Sequence, residues 1–186
     1  QAATPKDRPA GSRRLLALPP LAPAGRRLVG THPVSLLQEQ FLTLHLSSPE
    51  GVGYNVVVKN WLPELVDAPR LRSAGVRLAA RHATLRTTYA ADQNLGLTQT
   101  VQEALDPGVV VVETAEGEDE ALQQVRDEVT RPFDLMSGAS PVRVLAVRVP
   151  GTERSLVAVV MHHIATDGVS IGIVMSQLRE LYASPA

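Results

Sequence analysis

Leu156-Val157-Ala158-Val159-Val160 runs without a polar side chain into Met161-His162-His163-Ile164-Ala165-Thr166-Asp167-Gly168-Val169-Ser170. An apolar, β-branched run of this length reads as a strand buried in the core. Few core-building needs explain why such a strand ends in two histidines, an aspartate and a glycine. The strand delivers an imidazole to its end. Apolar walls beside it would hold the ring neutral and able to accept a proton. A fold for this chain must bury that strand and leave its last residues at a site.

Neighbouring side chains on a strand point to opposite faces, so one histidine is expected to face the core or a channel and the other to face away. Two satisfied polar residues at a strand end would account for the histidines alone, but Asp167-Gly168 follows at a short fixed offset. Gly168 permits a tight turn into the next helix, and Asp167 is placed to cap that helix or to pair with an arginine. A structural role for Asp167 is favoured over proton transfer. Adjacent histidines on a strand cannot easily share one ion and no clustered carboxylates stand near, so no metal site is expected. The chain has no Gly-x-Ser-x-Gly elbow and no glycine-rich phosphate loop after a strand. What remains is one imidazole acting on a substrate that brings its own nucleophile.

The rest of the chain supplies the layers around this strand. Val142–Val149 and Ser155–His162 read as an antiparallel hairpin around Pro150-Gly151. Tyr54–Trp61, Leu85–Ala90, Leu97–Val101 and Val109–Glu113 read as further strands. Helices are expected over Pro33–Leu46, with Ser35 and Gln38 in a capping-box pattern and Leu37, Phe41 and Leu44 at helical spacing; over Val66–His82, weakened by Gly75; over Glu118–Arg131; and over Gly168–Tyr182. Strands mixed with helices and a late hairpin predict an α/β chain of the layered α+β kind, a mixed, largely antiparallel sheet packed with helices. Residues 1–30, with five prolines and the pairs Arg13-Arg14 and Arg26-Arg27, read as an extended linker or leader. Residues 31–186 read as the folded lobe.

Composition narrows the function classes. The 186 residues carry a net charge of -1, which favours neither nucleic acid nor an anionic membrane as partner. Aromatic residues make up 3%, so the core is expected to consist of Val, Leu, Ile and Ala. There is no cysteine, which removes a thiol nucleophile and fits a reducing compartment. With no run of membrane-spanning length and no signal-peptide pattern, a cytoplasmic location is expected.

Met161–Ser170 resembles the His-His-x-x-x-Asp-Gly signature of nonribosomal peptide synthetase condensation domains. Pro33–Leu42 is similar to that family's opening helix motif, with Leu36 and Phe41 departing from its commonest residues. Arg81-His82-Ala83-Thr84-Leu85-Arg86-Thr87-Thr88-Tyr89 is close to its second motif, with Ala83 where an acidic residue is usual. Arg131-Pro132-Phe133-Asp134-Leu135, followed by Pro141-Val142-Arg143, is similar to the stretch before its penultimate strand. The four occur in the family's order and cover about residues 31–184.

The resemblance implies the first of two lobes of a chloramphenicol acetyltransferase-like fold, with a C-terminal lobe of the same domain completing a tunnel. It implies amide formation between an acyl thioester and an amine, in nonribosomal peptide biosynthesis. Both substrates would arrive on the phosphopantetheine arms of donor and acceptor carrier proteins, with no cofactor bound directly. By the resemblance, His163 accepts the amine proton or orients the amine. His162 supports the strand end from the reverse face, and Gly168 lets the thioester arm approach the backbone. Asp167 is expected buried and paired with Arg81, with Arg86 and Arg143 as alternative partners. Two other readings stand beside it. One is an O-acyltransferase of the same superfamily using a carrier- or coenzyme A-bound thioester. The other is a non-catalytic carrier-docking module. An isolated lobe would expose an apolar face, open to self-association, and would lack half of the tunnel wall, which leaves open whether it turns over alone.

Overall fold

The computed structural model describes residues 29–94, 96–114 and 116–184. The linker reading therefore falls outside the described residues up to position 28. The described chain opens on a short strand, β1, over Gly30–Pro33. Among the described residues the strands and α-helices follow in the order β1, α1 (Leu36–Ser47), β2 (Asn55–Leu62), α2 (Ala68–Arg81), β3 (Thr87–Ala91), β4 (Leu97–Val101), β5 (Val109–Glu113), α3 (Glu118–Val129), β6 (Val142–Val149), β7 (Arg154–His162) and α4 (Gly168–Ala183). Every helix and strand expected from the sequence is present, with ends displaced by a few residues. β1 is the unforeseen one; its four residues carry no alternation and pair only with β4.

β1, β4 and β3 make a three-stranded antiparallel sheet. The second sheet has the order β2-β7-β6-β5, antiparallel except for the β5–β6 pair. This is the mixed, largely antiparallel arrangement that the patterning predicts. β6 and β7 form the hairpin, closed by a 3-10 turn over Pro150–Thr152. Both are central and buried on both faces. Val144, Ala146, Val157 and Val159 pack with α2 and α4, while Leu145, Val147, Leu156 and Ala158 pack with α3. Aliphatic residues build nearly all of this core, as the low aromatic content requires.

Gly75 interrupts α2 in the sequence for a reason visible in the packing. A Cβ there would lie 2.7 Å from Val109 Cγ2, so glycine lets the helix approach β5. Two arginines of α2 fasten it to the end of α4: Arg70 Nη2 donates to Ala183 O at 2.7 Å and Arg77 Nη2 to Leu181 O at 2.5 Å. Guanidinium groups at the carbonyl end of a helix also complement its dipole. Among the described residues, no helix is long and apolar enough to cross a membrane.

The α3 face carries one buried polar brace. Arg143 projects from β6 toward the end of α3, with Nε 2.6 Å from Glu128 Oε1. Its terminal nitrogens donate to the carbonyls of Glu128 (3.1 Å), Arg131 (2.7 Å) and Pro132 (3.0 Å). The guanidinium carbon lies 3.7 Å from the centroid of the Phe133 ring. Burial pushes the Arg143 pKa down to about 10, partly opposed by the Glu128 charge, so the group stays charged at neutral pH. Arg143→Met removes the partner cation on β6 from Glu128, which keeps Arg131, and takes one donor from each of three carbonyls, while Glu128 O and Arg131 O keep another donor. We expect a loss of about 1–3 kcal/mol of stability, read as a lower urea midpoint; an unchanged midpoint would show that the brace is dispensable.

Candidate active site

β7 holds its alternation to the last residue. His162 lies directly across from Asn55 of β2, on the α3 face of the sheet. The chain then leaves the strand through a 3-10 turn over His163–Ala165. Strand alternation therefore does not govern His163, and the two rings do not occupy opposite faces. Both lie against Phe41 of α1, at ring-centroid distances of 5.9 Å for His162 and 5.7 Å for His163.

Their surroundings differ sharply. His162 is 4% exposed, whereas His163 is exposed to solvent. The rings of Phe41, Tyr54 and Phe133 surround His162. Its Nδ1 accepts the backbone N–H of Ile164 at 3.1 Å, which ties the turn to the strand end and leaves the neutral ring's proton on Nε2. Burial, reinforced by repulsion from charge on His45 and His163, lowers its pKa to about 4. The ring held neutral by apolar walls is thus His162, a correction to the expectation for the strand end.

His163 is held differently. Its backbone N–H donates to Tyr54 O at 2.8 Å. Its ring stacks on Phe41 with an interplanar angle of 21°. A cavity of about 190 Å³ lies behind Phe41, lined by Leu44, His45, Ser48, Tyr54 and His162 among others. It is His162, not His163, that lines this cavity. His45, buried one helical turn after Phe41, and Tyr54 are site neighbours that the sequence reading did not single out. The i, i+4 spacing of Phe41 and His45 on α1 was the available signal.

Asp167 is exposed and, among the described residues, is not paired with an arginine, contrary to that expectation. It caps α4, with Oδ1 accepting from Val169 N at 3.1 Å, Ser170 N at 2.7 Å and Ser170 Oγ at 2.7 Å. Standing one residue before the helix, its carboxylate meets unpaired N–H groups that need an acceptor. The Ser170 hydroxyl and the backbone N–H groups hold its pKa below the usual carboxylate value. Arg81 lies 3.5 Å from Glu180, Arg86 is buried and donates to Gln102 O, and Arg143 braces α3. The structure does not bring these three arginines to Asp167. Arg143 reaches the site indirectly, by stacking on Phe133, which meets His162 edge-on at 6.1 Å. Gly168 opens α4 without a left-handed φ, so the turn does not demand glycine. A Cβ there would meet no atom within 4 Å, leaving open space in front of it.

Two acid-stability results follow. Unfolded His162 takes up its proton near 6.5 and folded His162 near 4, so the unfolded state binds more protons between those values. Stability is expected to fall by about 3 kcal/mol as pH drops through that window, and His162→Gln should flatten the slope measured by urea unfolding. An equal slope in the variant would contradict the assignment. For Asp167, the unfolded carboxyl protonates first, near 3.8, so the cap stabilises fully above that pH and is lost as pH falls through the lower folded value. Asp167→Ala should lower the thermal midpoint at pH 7 and Asp167→Asn should largely keep it. Equal midpoints for wild type and Asp167→Ala would remove the cap from the account.

The family model described as the condensation domain matches residues 29–185. The chain is 30% identical to tyrocidine synthase 3 of Brevibacillus parabrevis over 151 residues, which are 81% of this chain and 2% of that protein. It is 36% identical to the beauvericin nonribosomal cyclodepsipeptide synthetase of Beauveria bassiana over 115 residues, 61% of this chain and 4% of that one. The starter condensation domain of rhizomide synthetase RzmA superposes with a TM-score of 0.71 at 18% identity, covering 82% of this chain and 37% of the solved one. A chain that matches the family model over most of its length, with a hairpin-centred sheet whose buried strand ends at His162 and passes into a turn that opens with His163, belongs to the condensation-domain family, as an N-terminal lobe with the chloramphenicol acetyltransferase-like fold.

Proposed function

We propose that this lobe contributes His163 to amide formation between a carrier-bound acyl thioester and an amine, acting together with a C-terminal lobe. The observation that carries the reading is the placement of His163. It is an exposed imidazole at the end of a fully buried strand, and no hydrogen bond engages its ring nitrogens among the described residues. His162 is unsuited to the same task, because burial surrounds it and Ile164 N occupies Nδ1.

The chemistry needs little more from this lobe. The amine nitrogen attacks the thioester carbonyl carbon, and a C–N bond forms as the carbonyl π electrons move to oxygen. His163 takes up a proton from the attacking nitrogen, or holds the N–H so that the lone pair points at the carbonyl. Collapse of the tetrahedral species breaks the C–S bond, and the phosphopantetheine thiolate leaves and takes the proton. Orientation and proton transfer are both available to an imidazole held in place. His162 braces the turn that presents it, and Asp167 sets the start of α4 beside it. The open space before Gly168 suits the approach of a thioester arm.

Large apolar residues support the second lobe. Leu36 is 81% exposed, Leu37 61% and Val169 75%. The apolar series Leu37 and Leu44 of α1 stays outside the core, where Leu42 and His45 are the buried residues instead. Exposed apolar side chains on α1 and α4 fit a face covered by another body. Similarity to a cyclodepsipeptide synthetase keeps one variant beside the amide reading, in which a hydroxyl replaces the amine and an ester forms.

In protein carrying both lobes, His163→Ala is expected to lower product formation by about 10²–10⁴-fold without changing the thermal midpoint. Wild-type turnover by that variant would remove His163 from the chemistry. Offering amine and alcohol acceptors against one carrier-bound donor then separates amide from ester formation.

A further inference from the structure

Phe41 is the centre of the ring cluster at the strand end. It meets Tyr54 edge-on at 5.1 Å and 76°, His162 edge-on at 5.9 Å and 86°, and stacks near-parallel with His163 at 5.7 Å and 21°. The ring is therefore clamped from one side by Tyr54 and presents its flat face to the exposed imidazole. Its helix is anchored nearby: Leu42 is fully buried, His45 is 8% exposed, and Ser35 and Gln38 close the capping box at the N-terminus.

We infer that Phe41 is the positioning residue for His163, fixing the plane of its ring by stacking. The inference rests on the reading that His163 meets the attacking nucleophile. An exposed histidine otherwise samples several staggered rotamers, and only some would place a ring nitrogen within hydrogen-bond reach of a substrate. The backbone of His163 is already fixed through Tyr54 O. Side-chain torsions are the remaining freedom, and the Phe41 face restricts them. Ordering the base before substrate arrives removes an entropic cost from the reaction step. Phe41 touches His163 and is not asked to touch the reacting atoms. Its effect should therefore appear in kcat and not in KM.

The test compares Phe41→Leu and Phe41→Tyr, assayed with both lobes present and His163→Ala as a control. Leucine keeps an apolar side chain on α1 but removes the ring face. Phe41→Leu is expected to lower kcat about tenfold with KM for donor and acceptor unchanged, and Phe41→Tyr to restore kcat to within about twofold. In the lobe itself, the His163 ring protons should move downfield in NMR spectra of Phe41→Leu, as the ring-current shielding is lost, and stay in place in Phe41→Tyr. A wild-type kcat in Phe41→Leu, a raised KM with unchanged kcat, or unmoved His163 ring protons would each overturn the inference. If His163→Ala retains full activity while the ring protons move as expected, the stacking stands and the functional reading falls.

Discussion

The pairing of β7 on both its edges controls the structure. Hydrogen-bonded to β2 on one side and β6 on the other, it is held in register from Ser155 to His162. Both of its faces are packed, by α2 and α4 on one side and α3 on the other. A slip of one residue would exchange every side chain between those faces and place His162 on the wrong layer. The strand thus sets the depth at which the chain emerges, and the 3-10 turn at His163 decides which imidazole stays in the core. One buried ring and one exposed ring follow from the single point where the ladder ends.

Polar groups around that point act as fasteners. Arg143 joins β6 to the end of α3 and lays its guanidinium on Phe133, so its influence on His162 passes through a ring contact. Asp167 acts on the other side of the turn, where it satisfies the first N–H groups of α4. Arg70 and Arg77 hold the far end of the same helix against α2. Helix α4 is therefore set at both ends, and the His163–Asp167 segment spans from the end of β7 to that fixed start. The exposed imidazole owes its position to this frame and to Phe41.

Much of the fold was legible because its signals were local. Hydrophobic periodicity and turn residues located the β6–β7 hairpin, the Ser35 capping box and the apolar β5 run. β1 was missed because a short strand takes its identity from its partner, and Gly30–Pro33 has no pattern of its own. The site was less legible. The sequence placed two histidines at a strand end but offered no means to see that the strand stops at the first of them. Alternation then assigned the rings to opposite faces, where they share Phe41. Asp167 was read both as a cap and as a buried partner of Arg81. The local hydrogen bonds prevail because free N–H groups stand one residue away, while Arg81 lies at the end of another helix beside Glu180. Long-range contacts such as Phe41 against His163 have no signature in sequence spacing.

The adjacent imidazoles of His162 and His163, where β7 gives way to the turn, occupy opposite solvent environments. Carbethoxylation with diethyl pyrocarbonate, resolved to single residues by fragmentation mass spectrometry, measures this directly on the folded chain. Rapid modification of His163 with His162 protected is the expected outcome. Modification of His162 at an equal or greater rate than His163 would contradict it.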